Sequence, residues 1–466
     1  MEGKRRRSES SSRQRKSYEH ERDVYNEAID PTASASRNSS VKSSWFRSIE
    51  YFRQDKAIAA GVPTDDSLVK SEIISISKQL SQVKRRLSPA AERCTEAMNS
   101  FYNDCATTGR QEFAAARRAC NPYEVLGEGR NGGLNSMFIN RSAIKLANID
   151  AVLRFDLSRP GKNGQFSFVD LCAAPGGFSE YLGKRCHANA VPECRGYGMS
   201  LLSTNEYGEA TKWKMDDSTS TENGTYAQYR VCEGSDGTGD ILKWENIEAL
   251  HNMVRDDISA VARVESSVEW GKVDLVVADG GFDAQRDSDH QEAISQKLVV
   301  CEIAAGLLLL KKGGKLMVKM FGFQTEIIRS VMEDLAFTFE EIIALKPISS
   351  RPASAERYVV FRGFKGNPAD WEGQRWIDRM FLGKNSTQCA RNRLQQPNCT
   401  NRLGVYLDAF DRDLLSLNLK TCFSILSFLE NKCRAIHSQQ RAGPDSDSQE
   451  ATLVDVEAFK AAWNLQ

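Results

Sequence analysis

The sequence predicts an α/β fold whose central sheet is largely parallel and covered by helices on both faces. Three observations carry this. Short apolar runs alternate with helical stretches from residue 166 to 361, and the first run, FSFVDL, passes through a glycine turn directly into a helix, as strand, turn and helix do in a crossover unit. With 466 residues, 41% hydrophobic and 27% charged, the chain also has enough apolar material for a large core.

Taken in order, residues 1–45 are rich in Ser and Arg and poor in aliphatics, so they cannot bury enough apolar surface to offset their ordering entropy and are expected to be disordered. Their basic clusters, Lys4–Arg7 and Arg13–Lys16, suit a nuclear import signal, an RNA-attracting arm or equally a plain solvated tail, and the expected location is the nucleus, with the cytoplasm as the alternative. Residues 46–135 form a helical extension: apolar residues recur at helical spacing from Leu68 to Tyr102, and Pro89, following a serine, suits a helix start. A glycine-rich turn at Gly127–Gly133 precedes a further helix through Phe138, Ile144, Ala147 and Ile149.

Residues 136–366 carry the α/β pattern. FSFVDL, RGYGMSLL, KVDLVVADGG, GGKLMVKMF, Phe337–Leu345 and Tyr358–Phe361 are six recognisable strands of a sheet expected to hold seven, and Leu298–Leu310 is a long apolar helix. In such sheets ligands sit outside the carboxyl ends of the strands. Residues 367–466 form a helical appendage, with periodicity at Leu414–Phe428 and a short last helix at Val454–Trp463.

Composition narrows the function. Lys plus Arg number 62 and Asp plus Glu 62, so any basic surface is local. The twelve cysteines form no CxxC pair and no cluster with histidine, which argues against a metal site or a disulfide framework. No apolar run reaches the roughly 18 residues of a membrane span.

The chemistry gathers at strand ends. Asp170-Leu-Cys-Ala-Ala-Pro-Gly-Gly-Phe178 turns through small residues that let a ligand approach the backbone; its spacing differs from that of phosphate-binding loops, and an adenosyl ligand without phosphates fits better. KVDLVVADGG reaches Asp279, and LMVKMF places Lys319 in an apolar run, where an ammonium needs a partner. If the last strand runs antiparallel, its beginning brings Glu356 to the same edge. Lys145, on the helix before the first strand, shares a face with Arg141 and Ile149; by itself it reads as a solvated lysine.

NPYEVLGEGRNGGLNSMFINRSAIKLANID, FVDLCAAPGGFSEYL, GDILKWENI, VVADGGFD, KLMVKMF and KPISSRPASAERYVV, in this order over about residues 115–365, resemble the cap-specific mRNA (nucleoside-2′-O-)methyltransferase 1 family, within the FtsJ-like ribose methyltransferases. The resemblance implies a Rossmann-like class I methyltransferase fold with its last strand antiparallel, S-adenosyl-L-methionine as cofactor and the 5′ end of capped, single-stranded mRNA as partner, with transcription or capping machinery as further candidates. It implies a Lys-Asp-Lys-Glu tetrad at Lys145, Asp279, Lys319 and Glu356. It assigns Asn140, Cys172, Ala173, Ala174, Pro175, Gly176, Gly177, Phe178, Ser179, Asp240, Ile241 and Asp279 to the cofactor site, and Arg117, Asp289, His290, Gln291 and Ser354 to cap or RNA contacts. The expected activity is methylation of the first transcribed nucleotide; the second nucleotide, ribosomal RNA, or cap binding without catalysis are the alternatives. Lys319 is the expected general base, its pKa lowered by the neighbouring Lys145. The strand ending Gly198-Met-Ser-Leu201 lacks the acid that often holds a cofactor ribose, so other groups are expected to hold it. Arg351 and Arg357 are candidates for RNA binding.

Overall fold

The computed structural model describes residues 52–53, 67–101, 108–127, 133–161, 164–202, 213–214, 227–261, 272–282, 290–367, 371–381, 397–439 and 456–465. The expected disordered tail at 1–45 lies outside the described residues.

The strands are β1 (Phe52–Arg53), β2 (Gln165–Leu171), β3 (Glu193–Met199), β4 (Ala227–Val231), β5 (Val273–Ala278), β6 (Leu310–Met320), β7 (Phe339–Leu345) and β8 (Arg357–Phe364). They form one sheet in the order β1-β7-β8-β6-β5-β2-β3-β4. From β6 to β4 neighbouring strands are parallel; β8 runs antiparallel to both β6 and β7, and the two-residue β1 extends the β7 edge. Seven strands in this order, with the last inserted antiparallel, are the class I methyltransferase arrangement that the resemblance implies. β4 has no counterpart among the six recognised strands. Its sequence, AQYRV, offers only two strongly β-favouring residues, Tyr229 and Val231, and of these Tyr229 is buried, its ring beside that of Phe168.

The helices are α1 (Ser67–Phe101), α2 (Gly109–Cys120), α3 (Ser142–Val152), α4 (Gly177–Ala188), α5 (Trp244–Val261), α6 (Gln291–Leu309), α7 (Glu326–Thr338), α8 (Gly373–Phe381), α9 (Pro397–Gln439) and α10 (Val456–Ala462). Strand alternation sorts the sheet's side chains. Leu275, Val277, Met317, Tyr358 and Val360 pack with α3 and α4 on one face, while Val276, Ala278, Leu316, Val318, Val359 and Phe361 join the core formed with α5, α6 and α7 on the other. Both faces are covered, which is why these strands read as unbroken apolar runs.

Pro89 lies inside α1, not at a helix start. A proline there removes one backbone hydrogen bond and crowds the preceding turn. Packing offsets that loss: Leu80, Val83, Leu87, Ala90 and Cys94 of α1 share a core with Cys422, Ile425, Leu426 and Leu429 of α9 and with Ala116 of α2. The N-terminal helices and the long C-terminal helix thus share one core.

α9 also reaches into the sheet. Arg357, at the start of β8, is 1% exposed; its guanidinium pairs with Asp411 of α9 and donates to Phe321 O at 3.1 Å. Asp411 also accepts from Phe323 N at 3.1 Å, and Asp408 pairs with Arg329 of α7. Arg357 is therefore a buried tie between sheet and helix and is withdrawn as an RNA-binding candidate; in the sequence its partner is 411, too distant to be paired with it by pattern.

Candidate active site

Four ionisable side chains meet at the carboxyl edge of β5 and β6, and strand parity explains how. Val277, Met317 and Tyr358 lie on the face covered by α3; two residues along each strand, Asp279, Lys319 and Glu356 continue the same row past or at the strand ends. Lys319 stands directly opposite Tyr358 in the β6–β8 register. α3 lays Lys145 over this row.

Lys319 Nζ lies 3.0 Å from Asp279 Oδ1 and donates to Asp279 O at 2.6 Å. Tyr358 OH donates to Asp279 Oδ1 at 2.7 Å. Lys145 Nζ donates to Glu356 Oε2 at 2.9 Å, and Ser350 Oγ donates to Glu356 Oε1 at 2.7 Å. Lys145, read alone as a solvated lysine, is instead paired.

The electrostatics correct one expectation. Burial lowers the Lys319 pKa, but Asp279, Glu356 and Glu302 together outweigh it and raise the pKa above the ordinary lysine value. Lys145 does not depress it: the acids of the cluster stand between the two cations in the pattern of pairing. Glu356 opposes its own burial through Lys145, Lys319 and Lys346 and is held well below the usual carboxylate range.

Beside the cluster lies the small-residue loop. β2 ends in Asp170, whose Oδ2 accepts from Ser179 N at 3.0 Å and from Ser179 Oγ at 2.7 Å, tying the strand end to the first turn of α4. Gly176 caps α4 with φ 113°, a conformation that glycine adopts without strain. A Cβ on Gly177 would come within 2.0 Å of Asn140 Oδ1, so this glycine is required by close packing of Asn140 as well as by any ligand. Ala173 N donates to Met199 O at 3.2 Å, which holds the loop Cys172–Gly176 against the end of β3. On the far side of that end, Asp240 Oδ1 accepts from Leu242 N at 2.9 Å and Ile241 is buried in the core. Ala174, Pro175, Phe178 and Ser179 complete the stretch, Phe178 and Ser179 being buried.

One group escaped the sequence reading. Glu302 of α6 is fully buried, accepts from Gly280 N at 3.0 Å, and touches the two loops at once: a Cβ on Gly280 would meet both Glu302 Oε1 and Cys172 Sγ. Burial pushes its pKa up to about 8, and its Oε2 has no hydrogen-bond partner. An acid inside an apolar helix, LVVCEIAAGLLLL, was the available signal.

Of the expected substrate contacts, Asp289 lies outside the described residues. His290 is exposed at the start of α6, and Gln291 is the first residue of that helix. The neighbouring Glu292 accepts from Gln324 N and Thr325 N at 2.8 and 2.7 Å, so this helix start is fastened to the chain that leaves β6 just beyond Lys319. Ser354 turns inward: its hydroxyl accepts from Glu356 N at 3.1 Å. Arg117 of α2 joins Arg351 and Arg141 around one carboxylate, Glu124, which accepts from Arg351 Nε at 3.0 Å and lies 4.0 Å from Arg141. Burial, then Arg351, lower the Arg117 pKa, Glu124 opposing, so positive charge is in excess here. Arg141 also donates to Ser349 O at 3.3 Å, linking this cluster to the loop that carries Glu356.

A class I methyltransferase fold with a Lys-Asp-Lys-Glu cluster at its carboxyl edge defines the class of protein. Residues 138–364 match the family model described as FtsJ-like methyltransferase, and that segment of the chain is an FtsJ-like methyltransferase domain. The chain is 31% identical over 303 residues to cap-specific mRNA (nucleoside-2′-O-)-methyltransferase 1 of Danio rerio, a match covering 61% of this chain and 33% of that protein. It is 33% identical over 268 residues to the Homo sapiens protein of the same name, covering 55% and 29%. A Caenorhabditis briggsae protein named as inactive cap-specific mRNA (nucleoside-2′-O-)-methyltransferase 1B is 26% identical over 324 residues, covering 64% and 35%. The matched region thus spans about a third of the length of these relatives. Among solved structures, human methyltransferase-like protein 13 aligns over 52% of this chain and 94% of its own at 10% identity and a TM-score of 0.27, too loose to carry an argument.

Proposed function

We propose that the chain is an S-adenosylmethionine-dependent mRNA cap 2′-O-ribose methyltransferase acting on the first transcribed nucleotide. The observation that carries this reading is the paired-lysine, paired-acid cluster at the sheet edge of an FtsJ-like domain. The names of the curated relatives support the capped substrate.

The residues beside the cluster fit S-adenosylmethionine. The loop from Cys172 to Gly176 offers backbone and small side chains in place of a phosphate cradle, and Gly281 leaves room at Lys319, since a Cβ there would come within 3.1 Å of Nζ. Cys172–Ser179, Asn140, Asp240 and Ile241 would hold the cofactor, which supplies a methyl group on a sulfonium. Asp279 would then supply negative charge toward a cationic donor.

A ribose hydroxyl is too weak an acid to ionise unaided at neutral pH. Lys319, kept charged by its carboxylates, would donate to the ribose oxygen and stabilise its developing negative charge, the hydroxyl proton passing to solvent water. This replaces the expected general base with an electrostatic role. Lys145 and Glu356 hold the row rigid, and alignment of acceptor and donor would supply much of the remaining acceleration. The excess of arginine around Glu124 suits the phosphates of a capped 5′ end.

The test is to incubate the protein with labelled methyl donor and RNAs capped with guanosine, capped with 7-methylguanosine, or uncapped, then digest and locate the label. Label on the 2′-oxygen of the first nucleotide of capped RNA is expected. Equal labelling of uncapped RNA would favour a ribosomal-RNA type of substrate, and label on the second nucleotide would reassign the position.

A further inference from the structure

Lys346 directly follows β7 and is 3% exposed. The proposed chemistry does not use it. Its Nζ donates to Ser354 O at 2.8 Å and to Glu356 O at 2.6 Å, so the chain leaving β7 folds back and closes over the lysine's tip before β8 begins. The same loop is braced internally by Ser350 N to Pro347 O at 2.9 Å, Ser354 N to Arg351 O at 3.0 Å and Glu356 N to Ser354 Oγ at 3.1 Å.

A lysine buried to this degree is costly without partners, and an apolar residue would fill the space with no such cost. Two carbonyls match the two N–H groups of a neutral amine, so the side chain stays bonded whether or not it carries a proton. Burial lowers its pKa to about 7; Glu356 opposes, while Arg357 of β8 and Lys145 of α3 push the same way as burial. Among the described residues these three are the charged groups that act on it most strongly.

We propose that Lys346 is a positioning residue of the methyltransferase site: by gripping the backbone of Ser354 and Glu356 it sets the Glu356 carboxylate against Lys145, and through that pair the geometry of the whole row. The proposal rests on the methyltransferase reading of the site. A displacement of about 1 Å in such a row costs on the order of 100-fold in rate, so small slackening of the loop is enough to be measured.

The test compares Lys346→Met, which keeps the length and removes the donors, with Lys346→Arg, whose fork reaches both carbonyls. Amide hydrogen exchange is followed over residues 349–357, and methyl transfer to capped RNA is measured across pH. For K346M the expected result is faster exchange confined to 349–357, kcat lower by on the order of 100-fold, and KM values for RNA and methyl donor unchanged at every pH. K346R retains more kcat and more protection than K346M. Wild-type kcat and exchange in K346M would overturn the proposal, as would a loss of kcat accompanied by faster exchange throughout the domain, which marks a purely structural lysine. If K346M fails to fold, K346R decides: reduced kcat with wild-type exchange at 349–357 overturns the proposal, and the two changing together support it. If the wild-type protein transfers no methyl group to any RNA, the methyltransferase reading fails, while exchange at 349–357 still reports whether Lys346 holds the loop.

Discussion

Lys319 and Lys145 are each held by a carboxylate, and each carries a different part of the proposed reaction. Lys319→Ala and Lys145→Ala are expected to abolish methyl transfer while circular dichroism and cofactor binding stay near wild type; full activity in either would sink the assignment of the row. Glu302 makes a prediction of opposite character, about stability. Its pKa rises from an ordinary 4.5 to about 8 on folding, so the folded state binds the extra proton between those values and stability falls as pH rises through that window. Glu302→Gln removes the titration, and the variant should lose less stability than wild type between pH 5 and 9, measured by urea unfolding at each pH. At this scale the sequence was informative where a charge interrupts an apolar strand, as at Lys319. It could not show that Lys145 is paired, because the partner is 211 residues away, and it misjudged the Lys319 pKa because three acids converge on it from three elements.

At the scale of elements, β8 and α9 depend on one another. The Arg357–Asp411 pair is buried on both sides, and removing Asp411 leaves the buried guanidinium with only the longer-range pull of Glu292 to offset its burial. Asp411→Asn is expected to cost about 3–5 kcal/mol, read as a lowered urea midpoint. The double variant R357M/D411L, which removes both charges, should recover most of it. The alternation of strand and helix was legible from residue 166 onward because a two-sided sheet leaves apolar runs. β4 was not, since AQYRV has no clean apolar run, although Asn223-Gly224 and Gly234-Ser-Asp-Gly237 are turn signals on either side of it, and the start of α6 at Gln291 was missed because its first turn is polar. The antiparallel β8 was inferred from a short connection, and the register bears that out.

Across the whole molecule, the helical segments at the two ends of the described chain share a core and connect the arginine cluster with the sheet: α2 carries Arg117, and Glu112 of α2 accepts from Lys432 of α9 at 2.7 Å. If the cluster binds phosphates, Arg117→Ala and Arg351→Ala should each weaken RNA binding and reduce the slope of log affinity against log salt by roughly one; an unchanged slope would remove the cluster from the RNA path. Neither composition nor net charge pointed there, because 62 basic and 62 acidic residues hide a local excess. The Arg357–Asp411 tie also bears on the order of synthesis. A ribosome completes β8 while residues 365 to 411 are still to be added, and during that interval the arginine lacks its direct partner Asp411, Glu292 being the acid already made that acts on it. The β6–β8 end of the sheet is therefore expected to reach its full stability only after the long helix has emerged, so that chains ending before residue 411 should be cut by protease more readily than the full chain.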